Sequence, residues 1–299
     1  MNILTFDIED WFHILDNPET ATPDKWEKFE NRLHKNMDLI FSILEEFDQK
    51  ATFFCLGWVA EKYPEVIRQI AAHGHEIGSH TTNHKLIFQH DPDSFVEDLV
   101  YSIKKLEDVS GQRVRSFRAP GFSIMQSNAW AFEKMLLNGI EIDCSVFPAN
   151  RSHGGFPEFG EAAPSWIEIE GMRIKEFPIN LHSILGKKIV FSGGGYLRLF
   201  PYSLLKSWTS SSNYTMTYFH PRDFDASQPI VPGLSKLRQF KSYYGLNSTE
   251  KKLRSLLTDF EFIDLETADK RIDWSAAKVI NLDLQEWYEK VPPVIELSV

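Results

Sequence analysis

Cysteine is scarce in this chain: Cys55 and Cys144 are the only two in 299 residues. Both sit in apolar stretches, TFFCLGW and IEIDCSVF, so free buried thiols are expected rather than a disulfide framework. No uninterrupted apolar run approaches the roughly 20 residues that span a bilayer, which argues against a transmembrane segment. The opening MNILTFDIEDWFH places acidic residues where a secretory leader has basic ones, and no long apolar run follows. A cytoplasmic location is the expectation. Positive charge is in deficit, with 32 Lys and Arg against 42 Asp and Glu and a formal net charge of −10. Backbone binding to nucleic acid needs a basic surface that neutralises phosphates, so no nucleic-acid partner is expected. A local basic patch is still compatible with this balance. The glycines of SGGGYLRLFPY, from Ser192 to Tyr202, have neither the Walker spacing with its Lys-Ser/Thr end nor the Rossmann spacing. They read as a tight turn or as a contact to substrate or lid.

What is present describes an ordinary globular protein: 42% hydrophobic and 25% charged residues, with no low-complexity tract. One domain with embellishments fits this length better than two independent ones. Strand and helix patterns alternate along the first half. Residues 2–8 read as a buried strand, and 24–47 as a helix with Phe29, Leu33, Met37, Ile40, Leu44 and Phe47 on one face. A strand from Ala51, a helix from Pro64 to His73 stopped by Gly74, and the strand EIGSH follow. The pattern continues with a helix from Pro92 to Ser110 stopped by Gly111, the strand VRSFR, a helix from Asn128 to Asn138 and the strand IEIDCSVF. This order predicts an α/β fold with a mainly parallel sheet. From Arg151 to about Lys188 the alternation gives way to a long excursion, with two strands joined around Gly171 in WIEIEGMRIKEFPI. YTMTYFHP reads as a strand ending on His220, and the remainder as a helix from about Ser248 to Leu257 and a strand FEFIDL.

The polar chemistry falls at the C-terminal ends of the predicted strands. Asp7, Glu9 and Asp10, then His80 and His84, then Arg118, then Asp143 all occupy such positions. In parallel α/β architectures that rim is where active sites assemble. His80 and His84, spaced H-x-x-x-H beside Ser79, Thr81, Thr82 and Asn83, are close enough to bind one divalent ion with hydrogen-bonding support. Two histidines and one carboxylate leave a position open for water, whose acidity the ion raises. Among Asp7, Glu9 and Asp10 one carboxylate can ligate while another acts as base. Strand alternation places Asp7 and Glu9 on one side, while Asp10 reaches the rim through the following turn. Arg118 can orient a carboxylate by a bidentate bond, and His220 can protonate a departing amine or stabilise an oxyanion.

These residues resemble the polysaccharide deacetylases, the NodB-homology group of carbohydrate esterase family 4. The family's TFDDG opening is TFDIED here, residues 5–10; its H-S/T-x-x-H motif is HTTNH, residues 80–84; its R-x-P-x-G motif begins RAPGF at Arg118. DCSVFP, with Asp143 and Ser145, and YFHP, with His220, resemble its fourth and fifth motifs. The resemblance covers about residues 1–222 and implies a distorted (β/α)7-type barrel, with 223–299 as a C-terminal extension packed on the same domain. It implies that Asp7 is the base, that His80 and His84 are metal ligands, that Arg118 holds Asp7 and that His220 is the general acid. It also implies a backbone N–H from Phe122 at the oxyanion. Ile8 stands where the motif has its second aspartate, so the third ligand is Glu9 or Asp10. The implied cofactor is a divalent ion, Zn2+ first, with Co2+ or another divalent ion as alternatives. The opening, the SGGG segment and the FHPRDFD tail resemble a subgroup associated with exopolysaccharide gene sets.

The activity so implied is removal of the N-acetyl group from an amino sugar of a polysaccharide or of a lipid- or nucleotide-linked glycan precursor, releasing acetate. Hydrolysis of another non-peptide amide (a formamide, a cyclic imide or a ureide) uses the same groups, and a glycan-binding protein on this scaffold is the non-catalytic alternative. Trp11, Trp58 and Trp166 are candidate sugar platforms or simply packing residues. Oligomeric state is not legible.

Overall fold

The computed structural model describes residues 1–151, 154–184 and 187–282. Its main sheet has eight strands in the order β12-β7-β8-β6-β5-β4-β3-β2. These are β2 (Thr5–Ile8), β3 (Thr52–Cys55), β4 (Glu76–Ser79), β5 (Ser116–Phe117), β6 (Ile142–Asp143), β7 (Ser165–Ile169), β8 (Met172–Glu176) and β12 (Val279–Leu282). Neighbours run parallel except β7 and β8, the predicted pair around Gly171, which is antiparallel. Every residue of β2 and β3 is buried, the polar Thr5, Asp7 and Thr52 included, as expected of central strands in a parallel sheet covered on both faces.

The sheet curls into an incomplete barrel. A two-residue strand β1 (Asn2–Ile3), just ahead of β2, pairs parallel with β11 (Thr215–Met216), and a single bridge joins Phe6 to Phe219. On the other side of the gap, the chain leaving β8 brings in Asn180. Its Oδ1 accepts from the Met216 N–H at 3.1 Å and from the Ser192 hydroxyl at 3.0 Å. A side chain thus spans the seam that backbone pairing leaves open. A hairpin of β9 (His182–Ile184) and β10 (Lys187–Ile189) lies beyond the seam.

The helices follow local chemistry. Pro92–Ser110 begins where Asp91 Oδ1 accepts the Ser94 N–H and Pro92 occupies the first turn, and it ends at Gly111 with φ +69°. The expected helix over 24–47 is instead Pro23–Trp26 followed by Leu33–Glu46. Between them Asp10 Oδ2 takes the Arg32 N–H and Asn31 Oδ1 takes the Leu33 N–H, so side chains compete for the amides a continuous helix needs. FEFIDL is not a strand: Ile263 makes one bridge to Ile3, and Asp264 then caps the helix Leu265–Arg271. The SGGG segment is not a tight turn. Gly193 is extended, and Gly194 opens the helix Gly194–Leu199.

Candidate active site

Loops at the C-terminal ends of β2, β4 and β5 converge with the chain after β11 on one cleft, whose cavity volume is about 260 Å³. Asp7, Glu9, His80, His84 and His220 all line it. Glu9 Oε1 lies 2.9 Å from His84 Nε2 and 3.2 Å from His80 Nε2. His80 Nδ1 donates to the Arg118 carbonyl at 2.7 Å, which fixes the ring with Nε2 turned to Glu9. Burial alone would raise the Glu9 pKa, but His84, His220 and the bonds from His80 and His84 outweigh it and hold the carboxyl well below the usual range.

The loop carrying the histidines is strained and clamped. Thr81 and His84 have φ of +66° and +55°, which non-glycine residues adopt only where their surroundings enforce it. Asp98, on the helix Pro92–Ser110, accepts the Thr82 N–H at 2.7 Å through Oδ1, and its carbonyl accepts the Thr82 hydroxyl at 2.8 Å. The Gly57 and Trp58 N–H groups donate to the Thr81 and Thr82 carbonyls. A Cβ on Gly57 would lie 3.0 Å from Ser102 Cα and 3.2 Å from Thr82 Oγ1, so glycine permits this approach.

Arg118 is fully buried and stacks over the Phe54 ring at 4.2 Å. Its Nη1 donates to Asp7 Oδ1 at 2.6 Å and to Thr5 Oγ1 at 2.7 Å, and its Nε to the Cys144 carbonyl at 3.3 Å. The grip on Asp7 is through one oxygen, not the expected bidentate fork. Asp7 Oδ2 stands 3.9 Å from His220 Nε2. His220 Nδ1 pairs with Asp223 Oδ2 at 3.1 Å, an oxygen that also accepts the His220 N–H. Burial disfavours the imidazolium, yet Glu9, Asp223 and Asp7 together lift the His220 pKa to about 9.

Asp10 lies outside the cluster, which corrects the reading that left it open as a ligand. Its oxygens accept the Trp11 and Arg32 N–H groups, and burial raises its pKa to about 6. The Phe122 N–H is also engaged elsewhere, donating to the Ala119 carbonyl. Asp143 binds the Ser145 hydroxyl, which in turn accepts the Ala119 N–H just past Arg118, so this pair shapes the arginine's loop. Trp11 and Trp58 are buried and Trp166 packs on Trp274; none lines the cleft.

Sequence reading missed several participants. Asp98 and Asp223 are ordinary acids in helical or loop context, legible only through what they hold. His13 lines both this cleft and an adjoining groove of about 740 Å³. Its Nδ1 accepts the Asp10 N–H at 2.9 Å, and burial with the nearby His84 lowers its pKa to about 3. Arg151 and Arg222 line the opposite wall, and each has one buried guanidinium nitrogen without a hydrogen-bond partner among the described residues. The glycines of SGGG serve close packing. A Cβ on Gly193 would lie 2.1 Å from the Tyr218 ring, and one on Gly194 only 1.8 Å from the Asp223 carboxylate.

Comparison with known proteins adds a lineage. The polysaccharide deacetylase family model matches residues 18–138, and a domain of unknown function (DUF3473) matches 144–270. A peptidoglycan-N-acetylglucosamine deacetylase of Bacillus cereus is 32% identical over 96 residues, 32% of this chain and 35% of that protein. A chitooligosaccharide deacetylase of Azorhizobium caulinodans is 40% identical over 86 residues, 27% of this chain and 39% of that protein. The matches thus span little more than a third of these relatives' own length. A solved structure from Mycobacterium smegmatis, described provisionally as a polysaccharide deacetylase, has 17% identity and a TM-score of 0.64 over 93% of this chain and 91% of that one, a likeness of fold. The cleft draws on both matched regions: His80, His84 and Phe122 fall in the first, Arg151, Tyr218, His220 and Asp223 in the second, and Asp7 and Glu9 precede both.

Proposed function

We propose that the chain, whose residues 18–138 match the polysaccharide deacetylase family, is a metal-dependent N-deacetylase that hydrolyses the acetamido group of an amino sugar in a glycan or glycan precursor. The observation that carries this reading is the meeting of two histidine nitrogens on one Glu9 oxygen, with Asp7 and His220 on the same wall.

The donor set suits a divalent cation. Glu9, His80 and His84 offer three ligand atoms within 4.8 Å of one another, and all three residues are buried. Two neutral imidazoles and one carboxylate are the donors that zinc favours in hydrolytic sites, and Zn2+ is the ion we assign. A divalent ion held there supplies Lewis-acid polarisation of the acyl carbonyl and acidifies a water.

The rest is done by the chain's own groups. With Oδ1 occupied by Arg118, Asp7 keeps Oδ2 toward the cleft as base and takes a proton from water. The oxygen of that water bonds to the acetamido carbon. As the carbon–nitrogen bond breaks, His220, oriented through Nδ1 by Asp223, delivers its Nε2 proton to nitrogen. Acetate and a free amine leave. The adjoining groove, which shares His13 and His84 with the cleft, gives room for further sugar residues, in keeping with a polymer or a lipid- or nucleotide-linked precursor.

The test is acetate release from N-acetylated amino-sugar oligomers after reconstitution with zinc or cobalt. His80→Ala is expected to reduce turnover to background and to lower bound metal; unchanged turnover would refute the reading.

A further inference from the structure

Among the described helices of eight or more residues, Lys236–Tyr243 is the one that buries none of its side chains. Its exposure is inverted relative to a helix packed on a core. The side turned to the protein is mainly polar: Arg238 donates to the Asp16 and Leu15 carbonyls, Gln239 to the Leu234 carbonyl, and the Tyr243 hydroxyl accepts the Val231 N–H. The side turned to solvent holds Leu237, Phe240 and Tyr244, which are 63%, 54% and 50% exposed. Successive residues are about 100° apart around a helix, so these three share one face with Lys236 and Lys241 on its two flanks.

This face sits on the rim of the cleft. Lys241 and Ser242 line the cavity, and Arg198 ties the helix to its neighbour Gly194–Leu199 by donating to the Ser242 and Lys241 carbonyls. That neighbour adds Tyr196 and Leu199, themselves 36% and 48% exposed. The segment's own sequence is basic, while Asp16, whose carbonyl Arg238 binds, stands on the side turned to the protein. From Ala226 to Thr249 there is no Asp or Glu, while Lys236, Arg238 and Lys241 are present, in a chain of net charge −10.

We propose that this rim docks on an anionic lipid bilayer, with Leu237, Phe240 and Tyr244 entering the headgroup boundary and the lysines meeting lipid phosphates. An apolar face bordered by lysine is the pattern of helices that lie in a membrane interface, where the long stems let the ammonium groups stay at headgroup level. Self-association through this face would bring like charges together, which disfavours a second copy as the occupant. The docking stands apart from the deacetylase reading; joined to it, the cleft opens at the membrane, where a lipid-borne glycan is presented.

The experiment is flotation of the full chain with vesicles of phosphatidylcholine containing phosphatidylglycerol, against pure phosphatidylcholine vesicles. The expected result is flotation with the anionic vesicles alone, weakened by high salt. The double variant L237E/F240E should partition at least about tenfold less, while keeping its circular dichroism, thermal midpoint and acetate release from a soluble oligomer. The proposal is overturned if the parent does not float, if the folded double variant floats equally well, or if light scattering shows these residues holding a protein dimer that ignores vesicles. A chain that floats yet releases no acetate would sink the deacetylase reading and leave the docking intact.

Discussion

Glu9 and Asp10 are adjacent, chemically alike and assigned to different tasks. Glu9 gives its carboxylate to the two histidines; Asp10 gives its own to the backbone of residues 11 and 32. The expected outcome is therefore a split between neighbours. Glu9→Gln should lose bound metal and turnover together, whereas Asp10→Asn should keep near-stoichiometric metal and show its cost as lower thermal stability, both read by elemental analysis and calorimetry. A second residue prediction concerns Glu76, whose pKa burial raises to about 7. Its folded value exceeds the unfolded one, so the folded state holds the proton more tightly. Its effect on stability is therefore absent below the unfolded pKa near 4.5 and grows as an increasing penalty as pH rises toward 7. Glu76→Gln should raise the unfolding free energy by on the order of 1–3 kcal/mol at pH 8 and by little at pH 5, measured by urea titration at both. Sequence spacing placed His80, His84, Asp7, Arg118 and His220 at strand ends because the chemistry of a parallel sheet puts them there. It left Glu9 against Asp10 open because the decision depends on the Arg32 N–H, which lies twenty-two residues away and, with the Trp11 N–H, draws Asp10 aside.

At the scale of elements, the informative case is the helix Gly194–Leu199. Its first residue leaves no space for a side chain, since the Asp223 carboxylate occupies the position a Cβ would take. Gly194→Ala should push Asp223 off His220, lowering kcat by about 10- to 100-fold while bound metal stays unchanged; loss of metal as well would show that the disturbance spreads across the cleft. The three glycines were conspicuous in the sequence, but their purpose was not, because it lies in a carboxylate about thirty residues downstream. Helices with a cap at one end and glycine at the other, such as Pro92–Ser110, were legible to the residue. The break at residues 27–32 was not, because apolar periodicity continues through Phe29 while side-chain hydrogen bonds end the helix.

For the whole molecule, closure of the barrel draws on the buried amide of Asn180, alongside the Tyr214 hydroxyl that donates to the Pro178 carbonyl at 2.8 Å. Asn180→Leu preserves volume roughly but strands the Met216 N–H and the Ser192 hydroxyl, so a loss of about 1–3 kcal/mol in unfolding free energy is expected. Calorimetry measures it, and a loss below a few tenths would show that the seam does not depend on this residue. The alternating α/β order was readable from β2 to β6, because a helix stands between each strand and the next. After that, β7 and β8 were still legible as a local hairpin around Gly171, but β12 joins β7 across more than a hundred residues, Trp166 with Val279, and local patterns hold no record of such a pairing.

Arg118 touches both halves of the proposed chemistry with different parts of itself. Its guanidinium steadies Asp7, and its carbonyl holds the imidazole of His80. The first attachment belongs to the side chain and can be edited; the second belongs to the main chain and survives any substitution that keeps the loop. Arg118→Lys and Arg118→Met therefore act as a natural dissection. They alter proton abstraction while the ion's seat persists, so that pH–rate profiles and metal titrations report on the two duties of one residue separately.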